Sequence, residues 1–140
     1  MTSAPTNASP QPAGKGIHIG LWVVQALLAI GFGMAGAMKL ATPYAELAAQ
    51  QPWAKQTPEA LVTFIGVVEV LGALGVILPA ATRIQPWLTP LASAGFVVIM
   101  ILGGMLHISI GEPAIPNVAL GLLAAFVAWG RFKRAPIAKR

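Results

Sequence analysis

Residues 60–82 read ALVTFIGVVEVLGALGVILPAAT and contain a single ionisable side chain, Glu69. A helix of this length crosses the hydrocarbon core of a bilayer, which is about 30 Å thick and needs roughly 17 to 25 apolar residues. Three other stretches have a similar length and composition. The predicted spans cover about residues 17–39, 60–78, 87–110 and 115–131. We therefore predict an all-α fold, an integral membrane four-helix bundle.

The composition of the whole chain favours a lipid environment and excludes several kinds of site. Of the 140 residues, 56% are hydrophobic and 9% are charged, whereas about a quarter of an average soluble domain is charged. The chain has no cysteine and only four acidic residues. Thiol relays, iron–sulfur clusters and cysteine zinc sites are therefore excluded. We expect no metal site, identify no catalytic residue, and favour a non-catalytic membrane subunit over an enzyme.

The two ends of the chain differ from the spans. Residues 1–16 are rich in Pro, Ser, Thr, Ala and Gly, which predicts a disordered tail. The apolar run that follows is about twice the 7 to 15 residues of a secretory signal, so we expect an uncleaved first helix. Residues 131–140 contain five of the nine Lys and Arg. A basic cluster directly after a span meets anionic lipid headgroups, so we expect no nucleic-acid partner.

The distribution of Lys and Arg predicts the orientation. Four spans put both termini on one side, and that side holds seven basic residues against two on the other. The seven are Lys15, Arg83 and the five in the carboxyl-terminal tail, and the two are Lys39 and Lys55. The positive-inside rule then predicts that both termini are cytoplasmic.

The longest connection, residues 41–59, predicts a short interfacial helix. Residues 44–49 are helix formers that follow Pro43, and Trp53 comes after a Gln-Gln-Pro break. A solvated linker with Tyr44 and Trp53 as ordinary interfacial aromatics is the alternative. Small residues at helical spacing within the spans would let helices approach closely, and they permit a homo-oligomer without requiring one.

Four polar residues are predicted to share the outer half of the membrane. With a rise of 1.5 Å per residue, Glu69 lies roughly 13 Å below the outer surface. Lys39 ends the first span there, His107 lies near the outer end of the third, and Asn117 lies one turn into the fourth. Ionisable groups at membrane depth usually face the bundle interior and have partners. We expect Lys39 to reach Glu69, with His107 as a third member of the group.

The roles of these residues stay open at this level. Glu69 could carry a proton or bind a ligand, because burial disfavours the charged form of a carboxyl group. It could equally form a structural ion pair with Lys39. His107 could bind a ligand, relay protons or only make an interfacial hydrogen bond. Gln25 is expected to make a cross-helix hydrogen bond. The two histidines, His18 and His107, lie at opposite membrane faces, so one subunit cannot ligate a haem with both.

Several motifs together resemble the DoxX-like family of small four-helix bacterial membrane proteins. They are GAMKL at residues 36–40, Pro-Trp at residues 52–53, VEVLGALG at residues 68–75, and the late histidine, His107. The resemblance covers about residues 20–130. It implies a multi-pass protein of the bacterial inner membrane that is linked with membrane redox systems, and it implies Lys39, Glu69 and His107 as the polar centre.

The resemblance leads to one main hypothesis and two rivals. Without cysteine the chain cannot perform thiol chemistry itself, so it would bind a quinone or lipid, or anchor an oxidoreductase partner. Glu69, His107, Lys39 and Asn117 are then the candidates for ligand binding or proton relay. The first rival is a proton-coupled small-molecule transporter that uses Glu69. The second is a purely structural membrane subunit.

Overall fold

The computed structural model describes residues 14–140. Within this range the chain is helical and contains no strand. The elements are α1 (Lys15–Ala41), α2 (Tyr44–Gln50), α3 (Pro52–Lys55), α4 (Glu59–Thr82), α5 (Leu88–Ser109) and α6 (Ile115–Trp129), and a π-helical turn (Gly130–Arg134) extends α6. The predicted all-α fold is therefore confirmed.

The amino-terminal tail predicted for residues 1–16 lies almost entirely outside the described residues. Of its last three residues, Gly14 precedes α1, while Lys15 and Gly16 already belong to its first turn. At the other end of the chain, the helical structure continues through Arg134 because the π-helical turn follows α6 directly.

Among residues 14–140, four helices are long and apolar enough to cross a bilayer. They are Lys15–Ala41, Glu59–Thr82, Leu88–Ser109 and Ile115–Arg134. Their outward faces carry large exposed apolar side chains, among them Ile30, Leu74, Leu102 and Leu122. Exposing so much continuous apolar surface to water is unfavourable, whereas the same surface is compatible with lipid. The chain is therefore a membrane protein with four candidate spans.

The four long helices form a ring in which α1 packs on α4, α4 on α5, α5 on α6, and α6 on α1. One end of this bundle carries α2 and α3, and we call it the capped end. The other end carries the start of α1, the α4–α5 turn and the carboxyl-terminal tail, and we call it the terminal end. A hydrogen bond from the amide of Arg140 to the carbonyl of Arg83 joins the tail to this turn.

At the centre of the bundle, small residues on one helix leave room for large side chains of the next. Phe32 of α1 stacks on Phe96 of α5, with ring centroids 3.8 Å apart and planes inclined by 6°. Phe96 fits because Gly72 of α4 has no side chain, and a Cβ there would lie 2.5 Å from the Phe96 ring. A Cβ on Gly75 of α4 would likewise lie 3.0 Å from the Cβ of Ala92 on α5. The helices α4 and α5 therefore approach closely toward the terminal end.

The capped end has its own small apolar cluster. Leu47 of α2, Ala54 of α3 and Val62 of α4 are buried together. The Tyr44 hydroxyl lies 2.8 Å from the Thr57 carbonyl oxygen and 3.1 Å from that of Ala54, so it ties the start of α2 to the end of α3. The short helix expected in this connection is present, followed by a second one, and neither is a solvated linker.

The terminal end contains a buried polar network. Arg131 is only 2% exposed. Its Nε donates to Gln25 Oε1 at 2.7 Å, and its Nη1 lies 3.0 Å from His18 Nδ1. Gln25 in turn donates to the Val76 carbonyl at 2.7 Å, which confirms its expected cross-helix bond. Arg131 was expected to contact lipid headgroups as part of the basic tail. Its side chain instead points into the bundle, because the π-helical turn directs it there.

Candidate functional site

A cavity of about 550 Å³ lies inside the bundle toward the capped end. Most of its wall is apolar and comes from all four long helices, for example from Phe32 of α1, Val68 of α4, Leu106 of α5 and Leu120 of α6. The four candidate residues from the sequence also line it: Lys39, Glu69, His107 and Asn117. Each of these side chains comes from a different helix, and the bundle brings them to one space.

Lys39 and Glu69 form an ion pair on the wall of this cavity. Lys39 Nζ lies 2.9 Å from Glu69 Oε2, and the side chains are 12% and 5% exposed. The expected pairing of these residues is present. The geometry depends on a close helix crossing, because Gly36 and Gly66 lie one turn before Lys39 and Glu69 and let the two backbones touch.

Trp53 of α3 adds a second partner for the Lys39 ammonium. Lys39 Nζ lies 5.3 Å from the centre of the Trp53 ring, within the range of a cation–π interaction. Trp53 also lines the cavity. The short helices thus close the capped end over the ion pair. The aromatic contact was not foreseen from the sequence, where Trp53 suggested only an interfacial residue.

His107 is paired with Glu112 instead of joining the Lys39–Glu69 pair. Its Nδ1 lies 2.7 Å from Glu112 Oε2, with side-chain exposures of 25% and 29%. Glu112 follows Gly111, whose φ of 79° reverses the chain after α5. Sequence reasoning missed Glu112, and its spacing of five residues from His107 across a Gly turn was the available signal.

Asn117 completes the polar part of the cavity from α6. Its Nδ2 lies 3.9 Å from Met100 Sδ, a long and weak contact. A Cβ on Gly103 would lie 2.9 Å from the same nitrogen, so the absence of a side chain there makes room for the amide. The amide offers a donor and an acceptor to anything in the cavity.

The cavity reaches the lipid-facing surface between α4 and α5. Three large apolar residues of its wall are also exposed on the outside of the bundle: Leu61 (47%), Phe64 (63%) and Leu102 (62%). The close α4–α5 contacts at Gly72 and Gly75 lie nearer the terminal end. The two helices are therefore in tight contact toward one end and enclose open space toward the other.

A smaller recess of about 250 Å³ adjoins the capped end beside Lys39. It is lined by the α1–α2 turn and the start of α4, including Tyr44 and Glu59. Lys39 lines both spaces, so its side chain stands between them. Among residues 14–140, no three His, Asp or Glu side chains lie close enough together to hold a metal ion.

The comparison with protein families gives one match. The sequence model of the DoxX-like family matches residues 23–130, which include all four helices that line the cavity and every polar residue described there. Neither a curated protein nor a solved structure matches the chain. Because the matched region covers more than half of the chain, the protein belongs to the DoxX-like family.

Proposed function

We propose that this DoxX-like membrane protein binds a lipid-soluble molecule with a polar headgroup, a quinone or a lipid, as a membrane component or anchor of an oxidoreductase system. The observation that carries the proposal is the composition of the cavity. Ligand sites are typically recesses of about 300 to 1,000 Å³ with apolar walls and a few converging polar groups. The redox assignment comes from the family resemblance, and the binding assignment comes from the cavity.

The shape of the cavity suits an amphiphilic ligand. A hydrocarbon tail can enter between α4 and α5, where Phe64 and Leu102 are exposed on the outside of the bundle. A headgroup would then meet the groups that line the space nearer the capped end. Lys39 and Asn117 can donate hydrogen bonds, Glu69 can accept them, and the His107 ring can do either, depending on its proton.

We also propose that both termini face the cytoplasm and that the protein resides in a bacterial inner membrane. The charge distribution supports this orientation. Of the nine Lys and Arg residues, Lys39 and Lys55 lie at the capped end and the other seven lie at the terminal end. All four glutamates lie in the capped half. Under the positive-inside rule the cavity then lies in the outer leaflet. Cysteine accessibility from either side of sealed vesicles, at positions introduced near Arg140 and Glu46, tests the orientation.

The first experiment identifies the ligand directly. The protein is purified from native membranes in mild detergent, and co-purifying small molecules are identified by mass spectrometry. We expect a quinone or lipid with the wild type and its loss with Glu69→Gln and His107→Ala. Glu46→Gln is the control, because Glu46 is an exposed carboxylate on α2 outside the cavity. Unchanged binding in both cavity variants would rule out this site.

A second experiment blocks the cavity without removing a polar group. Gly31 lines the cavity, and a Cβ on it would meet no atom within 4 Å, so Gly31→Leu fills open space. Gly95 has equally open surroundings on α5 but lies outside the cavity, which makes Gly95→Leu the matched control. We expect Gly31→Leu alone to lose the ligand. Equal retention by both variants would contradict binding in this cavity.

Proton-coupled transport is the second candidate function, because Glu69 is a carboxylate inside a membrane cavity. The ion pair with Lys39 counts against it, since a carboxylate that exchanges protons must leave its partner. Reconstituted protein that exports a cationic dye along a proton gradient, with the activity lost in Glu69→Gln, would favour transport over ligand binding alone.

A further inference from the structure

We propose that His107 and Glu112 form a proton-exchange pair that connects water at the capped end with the cavity, so that ligand binding is coupled to protonation of the imidazole. The inference rests on the proposed ligand binding and adds a route for protons to it. It also assigns a role to Glu112, which has none in the cavity itself.

The position of the pair carries the argument. His107 lines the cavity, whereas Glu112 does not. The imidazole and the carboxylate touch through Nδ1 and Oε2 at 2.7 Å, and 29% of the Glu112 side chain is exposed. The α5–α6 turn lies at an end of the spans, where water begins. One member of the pair therefore faces the ligand space and the other faces solvent.

The backbone fixes this arrangement. Gly111 adopts φ 79°, a left-handed conformation that costs glycine little. The reversal brings the Glu112 amide to the His107 carbonyl oxygen at 2.8 Å, in addition to the side-chain contact. Two contacts between the same two residues hold the carboxylate at Nδ1 of the ring.

The chemistry of the ring explains the coupling. In the Nε2–H tautomer of the neutral imidazole, Nδ1 is the acceptor and faces Glu112. A proton that Glu112 takes from water and passes to Nδ1 makes the ring an imidazolium, and the carboxylate that remains stabilises the new charge. The Nε2–H is then a charge-assisted donor, which a headgroup carbonyl oxygen binds more strongly than the neutral one. Carbonyl-bearing headgroups should therefore bind with uptake of a proton from solvent.

The other titratable groups around the cavity are less suited to take this proton. Lys39 from α1 and Glu69 from α4 neutralise each other at 2.9 Å. Helix α6 contributes Asn117 to the cavity wall and α3 contributes Trp53, and neither side chain titrates. Among the residues that line the cavity, His107 is thus the group able to change its charge without breaking an ion pair.

The test measures protons taken up during binding. Decylubiquinone is titrated calorimetrically into the protein in nanodiscs, at one pH in buffers of different ionisation enthalpy, with empty nanodiscs as the blank. The dependence of the heat on the buffer gives the protons taken up per bound quinone. We expect uptake of up to one proton for the wild type, and its loss in Glu112→Gln while the quinone still binds. Glu46→Gln, an exposed carboxylate at the same end, should keep the uptake.

The outcomes separate this inference from the proposed function. Binding without proton uptake, or uptake unchanged in Glu112→Gln, overturns the proton pair and leaves the ligand site standing. Absence of binding overturns the proposed quinone site, and the pair is then judged by nitrogen-15 histidine spectra. The chain has two histidines. Signals of His107 should respond to Glu112→Gln, whereas those of His18 should not respond to the substitution. An unresponsive His107 overturns the pair.

Discussion

Gly36 of α1 and Gly66 of α4 face each other at the helix crossing beside the ion pair, and a Cβ on Gly36 would lie 2.7 Å from the Gly66 carbonyl oxygen. No side chain fits between the two backbones at this point. Lys39 and Glu69 follow three residues later on their respective helices, so the crossing holds their side chains at a fixed separation. The site therefore depends on two glycines that contribute no chemistry.

Gly36→Ala should destabilise the bundle. The added methyl group meets backbone that cannot move away without separating α1 from α4, and overpacking of this kind costs about 1 to 3 kcal/mol. Thermal unfolding in detergent measures the effect. Gly31→Ala on the same helix is the control, since its Cβ has open space. Equal midpoints for the two variants would show that α1 and α4 can separate freely at the crossing.

The Lys39–Glu69 pair should behave as a coupled unit. Either single substitution, Lys39→Met or Glu69→Leu, leaves one buried charge without its partner, which costs about 3 to 5 kcal/mol. The double variant should recover part of this loss, with a coupling of about 0.5 to 3 kcal/mol. A double-mutant cycle on unfolding free energies measures it.

The same double variant separates a structural role from a functional one. If the pair only holds two helices together, the double variant purified from native membranes should retain the co-purifying molecule. If the pair belongs to the ligand site, a stable double variant should still lack that molecule. Additive single effects would contradict the coupling that the 2.9 Å contact predicts.

Gln25→Leu should destabilise the terminal end. Gln25 accepts a hydrogen bond from the Arg131 guanidinium and donates one to the Val76 carbonyl, and all three groups are buried. The substitution removes both hydrogen bonds and leaves the Arg131 Nε–H, a buried charged donor, without a partner, which costs on the order of 2 to 3 kcal/mol. Chemical unfolding in detergent gives the value. Gln50→Leu, at an exposed position on α2, should leave stability nearly unchanged; a similar loss in both variants would argue against the network.

Tyr44→Phe should loosen the cap while the bundle stays intact. The variant loses the hydroxyl contacts with the carbonyls of Ala54 and Thr57, a change of about 0.5 to 1.5 kcal/mol. Hydrogen exchange followed by mass spectrometry should show up to about tenfold faster exchange in residues 53–58. Peptides from α5 serve as the internal reference. Unaltered exchange in the cap would mean that the apolar cluster of Leu47, Ala54 and Val62 suffices to hold it.

The spans and the shared depth of the site could be predicted from sequence because both depend on local rules. Hydrophobic length identifies a helix in lipid, and the rise per residue places Lys39, Glu69, His107 and Asn117 at similar heights. Their presence around one cavity follows from those heights once α1, α4, α5 and α6 form a ring.

The choice of partners could not be predicted in this way. His107 meets Glu112 because Gly111 reverses the chain, and no hydrophobic pattern reports that conformation. Arg131 appeared to belong to a basic tail at the lipid surface. The π-helical turn shifts its direction and brings it to Gln25, 106 residues away in the chain.

The amino-acid sequence by itself therefore determined that the protein has four helices able to span a membrane and carries Lys39, Glu69, His107 and Asn117 in the same half of them. Hydrophobicity and helical rise act within each segment and need no knowledge of the others. Only the tertiary structure decided which groups pair and where the cavity lies. The Lys39–Glu69 and Arg131–Gln25 pairs depend on contacts between segments far apart in the chain, whereas the His107–Glu112 pair depends on the backbone turn at Gly111. The close packing depends on glycine positions that matter only because another backbone or ring occupies the space.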